Sequence, residues 1–203
     1  MTEFVVATAN EDKLREISLI LGPRLILLRR PAWVDEIDET GETLVDNARL
    51  KAHGLAKATG RPAIADDTGL EVDDLGGRPG VRSARFAGEN ATYADNVAKL
   101  IGALADRPRP RLARFRTVAL AAWPDGREVV AEGVVEGEIS HDPRGREGFG
   151  YDPIFVPREG DGRTFAEMTV EEKNRISHRG RAFRALEQRL AERARPSGDR
   201  VQQ

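Results

Sequence analysis

The chain has no cysteine among its 203 residues. That removes disulfide frameworks, thiolate zinc sites and cysteine nucleophiles together, and it fits the cytoplasm. Nowhere do about 18 apolar residues follow one another, so no membrane-spanning helix is expected. The start, Met1 to Ala9, is a short apolar run without a basic flank, which argues against a secretory leader. Charge of one sign is lacking too: 32 basic residues against 34 acidic leave a net charge of -2. No global field therefore recruits nucleic acid or an anionic membrane, and any phosphate binding must be local. Common phosphate and hydrolase signatures are also missing: there is no Walker-type loop, no G-x-G-x-x-G, no G-x-S-x-G and no H-E-x-x-H.

What is present is regular apolar periodicity in a polar chain, 39% hydrophobic and 33% charged, which is the pattern of a folded protein. The length suits one domain, expected over 1–195, with a frayed, disordered tail over 196–203. Phe4 to Thr8 reads as a buried strand ending near Asn10, a good helix N-cap. Leu14, Ile17, Ile20 and Leu21 then recur at helical spacing up to Gly22-Pro23. A second strand at Leu25 to Leu28 precedes a helix opened by Thr43 and Asp46, with Leu44, Ala48, Ala52 and Leu55 on its inner face. Ala63 to Ala65 is a short buried strand, with Asp66-Asp67-Thr68-Gly69 expected beyond its end. Tyr93, Val97, Leu100, Ile101 and Leu104 mark a third helix. Two antiparallel strands between Phe115 and Ile139 turn at Pro124-Asp125-Gly126. One last helix is expected from a Thr169–Glu172 capping box through Ile176, Phe183, Leu186 and Leu190. The sum is an α/β fold with a mixed sheet flanked by helices.

Four segments carry candidate chemistry. Thr8, Asn10 and Lys13 sit where a strand's carboxyl end meets a helix N-terminus, a natural place for an anion; the plain alternative is a cap beside a solvated lysine. The acidic stretch Asp35, Glu36, Asp38, Glu39 and Glu42, brought near Asp66-Asp67, could hold Mg²⁺, which takes a few carboxylates plus waters and phosphates. The plain alternative is a solvated loop. Asp67 differs, because a carboxylate at the end of an apolar strand costs several kcal/mol unless paired or metal-bound. Gly148-Phe149-Gly150-Tyr151-Asp152-Pro153 offers glycines that admit a flat ligand, aromatics that stack on it and a carboxylate that accepts from it, or else it is an ordinary turn. Lys173, Asn174, Ser177, His178 and Arg179 form the fourth segment, with Lys173, Ser177 and His178 able to share a helix face.

In this order the segments resemble the inosine triphosphate pyrophosphatase family, the Ham1-like dITP/XTP pyrophosphatases. The resemblance rests on Thr8 to Lys13, Asp38 to Thr43 with Asn47-Ala48, Ala65 to Leu70, Leu75 to Gly80, Gly148 to Phe155, and Glu171 to Lys173 with Ser177 to Arg179. It implies a long curved mixed sheet, two lobes with the active site in the cleft between them, a homodimer, and Mg²⁺-dependent hydrolysis of ITP, dITP and XTP at the α-phosphate. Carried over by position, Thr8, Asn10 and Lys13 hold the triphosphate. Asp38 or Glu39 holds the metal with Asp67, which also activates water. Thr68, Phe149, Gly150, Tyr151, Asp152, Lys173, His178 and Arg179 surround the nucleoside and its phosphates. Donors from Phe149 to Asp152 and from His178-Arg179 would read the 6-oxo group that separates these bases from adenine. Thr68 stands where many relatives have serine, which keeps the hydroxyl.

The related Maf-type pyrophosphatases open with a different N-terminal motif, so Thr8 to Lys13 argues against them. The segment Arg107 to Arg116 has five arginines and no acid. It reads as a solvated loop and strand edge, or as a contact for nucleic acid in a catalytically silent binding module; Lys13, Asp67 and Lys173 argue against the latter.

Overall fold

The computed structural model describes residues 3–22 and 24–194; the expected disordered tail lies outside the described residues. Strands β1 (Glu3–Val6), β2 (Ile26–Arg29), β3 (Ala63–Val72), β4 (Pro79–Gly80), β5 (Leu112–Ala122), β6 (Glu128–Ile139) and β7 (Phe155–Pro157) form one seven-stranded sheet. Its order is β2-β1-β3-β5-β6-β7, with β4 on β3. β1 runs parallel to β2 and β3, and all other pairs are antiparallel. The helices are α1 (Glu11–Leu21), α2 (Leu44–Thr59), α3 (Tyr93–Ala103), α4 (Val170–Ile176) and α5 (His178–Ala194).

Side-chain alternation sorts the packing. On the first half of the sheet, Val6, Ile64, Ala119 and Ala131 face α1 and α5 and meet Ile17, Leu21, Phe183 and Leu186. Val5, Ala63, Ala65, Val118 and Leu120 face the other way, against Ala48, Ala52 and Leu55 of α2. On the second half, Leu70, Val72, Phe115, Val135 and Ile139 build a separate core with Val97, Leu100, Phe155 and Phe165. The opposite face of that half carries ions instead: Arg116 pairs with Glu71 at 3.0 Å and with Glu132, and Arg114 with Asp73 at 2.7 Å. Two arginines of the basic segment are thereby matched by acids on neighbouring strands, the cross-strand arrangement that stabilises a solvated sheet face.

Two elements differ from expectation. β3 does not stop at Ala65 but runs on through Asp66, Asp67, Thr68 and Gly69, in unbroken register with β5. The two carboxylates can occupy a strand interior because cationic side chains from three helices reach them. Between β1, which pairs at Ala63 and Ile64, and β4, which pairs at Leu70 and Glu71, the outer edge of β3 has no strand partner among the described residues. That gap opens beside Asp66 to Thr68. The last helix is likewise two helices. Ser177 adopts an extended conformation (φ -67°, ψ 157°), and its Oγ accepts the Gly180 N–H at 3.1 Å, so a new helix starts at His178.

Candidate active site

At the gap, one cavity is lined by Asn10, Lys13, Glu39, Asp67, Thr68, Phe149, Gly150, Tyr151, Asp152, Lys173, His178 and Arg179. Two residues of the same expectation stand elsewhere. Asp38 is exposed and outside the lining, and Thr8 sits behind it, where its Oγ1 accepts the Asn10 N–H at 3.0 Å and shapes the turn. Asn10 in turn caps α1, its Oδ1 accepting from Asp12 N at 3.0 Å and Lys13 N at 3.1 Å. The cap aims Lys13 back over the end of β1.

Beneath the cavity runs a buried chain of ion pairs. Lys173 Nζ lies 2.5 Å from Asp152 Oδ2 and 2.7 Å from Glu16 Oε1. The other Glu16 oxygen is 2.5 Å from Arg179 Nη1, and Arg179 Nη2 is 3.2 Å from Asp66 Oδ2, which also lies 3.4 Å from Lys13 Nζ. On the opposite face of β3, Asp67 Oδ2 accepts from Asn47 Nδ2 at 3.2 Å. Its Oδ1 is 3.5 Å from Lys51 Nζ, which donates to Glu39 at 2.6 Å. Burial disfavours the charged form of every member, so their neighbours decide the outcome. For Asp66 burial is outweighed by Lys13, Arg179 and Lys51, which hold its carboxyl far below the usual range. For Asp67 burial wins, with Glu39 assisting and Lys51 opposing, and its carboxyl is pushed up. Burial also raises Asp152 despite Lys173. Lys13 is pushed down by burial, with Asp66 pulling the other way.

The far wall is aromatic. Phe149 packs 5.8 Å from Tyr93, ring centre to ring centre, and two cations lie over its ring, Lys173 Nζ 4.9 Å and Arg179 Cζ 5.4 Å from the centroid. His178 stacks on Phe115 with ring centres 4.4 Å apart. Burial first, then Arg179 and Lys173, drive the His178 pKa well below its ordinary value, so the imidazole is neutral; its Nδ1 is buried without a hydrogen-bond partner among the described residues. Phe149 N–H donates to Asp152 Oδ2 at 2.9 Å and Asp152 N–H to Phe149 O at 3.2 Å, so those two amides are already engaged. Arg179 is engaged as well, by Glu16, Asp66 and Thr68.

Sequence reasoning gave no site role to Glu16, Asn47, Lys51 or Tyr93, and named Asp66 only beside Asp67 as part of a possible metal site. Asn47 and Lys51 stand four residues apart on α2, one turn along a single face, and that spacing is the signal that could have found them.

A cationic floor, acceptor carboxylates and an aromatic wall, set in a gap of a mixed α/β sheet, define a cleft protein suited to an anionic ligand with a flat ring. Residues 4–189 match the Ham1 family, and the chain belongs to that family. It is 48% identical to a dITP/XTP pyrophosphatase of Streptomyces coelicolor over 92% of this chain and 96% of that one. It is 44% identical to one of Bacillus subtilis over 94% and 98%. A HAM1 protein structure from Coxiella burnetii superposes with a TM-score of 0.85 at 43% identity, covering 95% of this chain and all of that one.

Proposed function

We propose that this chain hydrolyses dITP, XTP and ITP to the monophosphate and pyrophosphate, with Mg²⁺, as a cytoplasmic homodimer that cleanses the purine nucleotide pool. The observation that carries the reading is that one cavity is lined by Lys13 and Asp67 together with Phe149 and His178. Relatives at 44–48% identity named as dITP/XTP pyrophosphatases support the substrate class. The homodimer rests on family resemblance. Cytoplasmic residence rests on composition; among the described residues no helix is long and apolar enough to cross a membrane.

Among the described residues no group of three or more His, Cys, Asp or Glu could hold a metal unaided. The donors nevertheless fit Mg²⁺ supplemented by substrate phosphates. Glu39 and Asp67 already share the Lys51 ammonium, so both can reach one cation, with waters and phosphate oxygens left to complete its shell. Bound there, Mg²⁺ would neutralise phosphate charge and improve pyrophosphate as a leaving group. Lys13 and Lys51 supply fixed positive charge to the triphosphate. Asp67, fixed by Asn47 and raised in pKa by burial, takes the proton of the attacking water on its carboxylate. Neutral His178, stacked on Phe115 in the cavity lining, is the ring donor for a 6-oxo group, and the amine of ATP offers no such acceptor.

The test is pyrophosphate release from ITP, XTP, dITP, GTP and ATP with and without Mg²⁺, for the wild type and Asp67→Asn. Metal-dependent turnover of the first three, weaker on GTP and ATP and reduced about 100-fold or more in the variant, is expected. Equal rates on all five bases, or none, would sink the reading.

A further inference from the structure

Tyr93 stands at the mouth of the cleft and reaches across it. It is the first residue of α3, and its backbone is fixed by the Thr92–Asp95 capping box. Its hydroxyl accepts a hydrogen bond from Asn10 Nδ2 at 2.8 Å, from the phosphate-facing turn at the other side of the gap. Its ring lies 5.8 Å from that of Phe149, the wall that faces a base. With 43% of its surface exposed, it is not held there by core packing, although it lines the cavity. The hydroxyl accepts from Asn10 and donates to no acceptor among the described residues, so its proton is free.

A nucleotide has one part between its phosphates and its base, and Tyr93 joins the residues assigned to those two ends. We infer that Tyr93 is a sugar-recognition residue: its ring closes over the nucleoside beside Phe149, and its hydroxyl donates to a hydroxyl of the sugar. The bonds to Asn10 and to the sugar use different parts of the same group, so binding extends a hydrogen-bond chain already present. Its contribution falls on substrate binding, because the sugar hydroxyls do not change during attack at the α-phosphate. This inference rests on the proposed nucleotide site.

The test pairs Tyr93→Phe with substrates that lack one sugar hydroxyl at a time. KM and kcat are measured for wild type and variant on ITP, 2′-deoxy-ITP and 3′-deoxy-ITP. Loss of one neutral hydrogen bond raises KM on ITP roughly 3- to 10-fold with kcat nearly unchanged. The penalty disappears on the one analogue that lacks the bonded hydroxyl, which also names that hydroxyl. An equal penalty on all three substrates, no penalty on ITP, or a loss confined to kcat overturns the inference. If the wild type itself releases no pyrophosphate from ITP, the proposed function has failed instead. Circular dichroism of Tyr93→Phe confirms the fold, since the ring that packs on Phe149 is retained.

Discussion

Glu16 is a buried carboxylate that separates two buried cations, Lys173 and Arg179. Neutralising it by Glu16→Gln leaves each cation with a single carboxylate partner, and breaking a buried pair of this kind costs about 3 kcal/mol or more. Urea unfolding should show that loss; an unchanged midpoint would mean the chain of ion pairs tolerates a missing member. His178 makes a pH prediction with a definite sign. Its folded pKa lies well below 6.5, so the unfolded chain binds the proton first and stability falls as pH drops below 6.5. The slope from this one group is at most about 1.4 kcal/mol per pH unit. His178→Gln should flatten it between pH 6.5 and 5, as read from unfolding free energies. At this scale Lys13 was placed by the run of motifs taken together, since a lysine three residues past an N-cap could as well have been solvated. Glu16 was not. It sits in a run of charges, Glu11, Asp12, Lys13, Arg15 and Glu16, and its burial is decided by Lys173 and Arg179, far along the chain.

The contact between β6 and α5 depends on Gly133. A Cβ there would meet His178 O at 2.2 Å and Ala182 N at 2.4 Å, both backbone atoms that cannot rotate away. Gly133→Ala must therefore push the first turn of α5 off the sheet, at about 1–3 kcal/mol, and carry His178 and Arg179 with it. A lower melting temperature together with reduced pyrophosphate release is expected. Gly102 in α3 is the control: nothing lies within 4 Å of an added Cβ, so Gly102→Ala should melt at the same temperature or higher. The amphipathic helices and the hairpin at Pro124 to Gly126 could be read from apolar spacing, because each buries one clear face. The length of β3 could not, since Asp-Asp-Thr-Gly carries the composition of a turn and becomes strand only when distant cations neutralise it. The break at Ser177 was hidden for a related reason: apolar residues continue at helical spacing on both sides of it.

At the scale of the molecule, β3, β5 and β6 each contribute to the cores of both halves. Leu120 lies in one half and Phe115 in the other, on the same strand. No loop separates the halves, so calorimetry should record one unfolding transition. Leu120→Ala and Phe155→Ala, one in each half, should each lower that single transition by about 2–5 kcal/mol. Two resolved transitions would show that the halves melt independently. The mixed sheet was foreseeable from the sequence, because parallel and hairpin signals both occur. The gap that makes room for a ligand was not, because it arises where β1 and β4 fail to meet along β3.

Asp66 and Asp67 are neighbours in sequence yet answer to different helices, Asp66 to α1 and α5 and Asp67 to α2. What distinguishes them is parity, odd or even along one strand. Slipping β3 by a single position against β5 would deliver each carboxylate to the other's address: a charge without its guanidinium on one side, and on the other an acid without the amide that orients it. A loop that carried the same two residues could absorb an inserted amino acid. This strand cannot, and the division of labour between two identical side chains is written only in their count from its first residue.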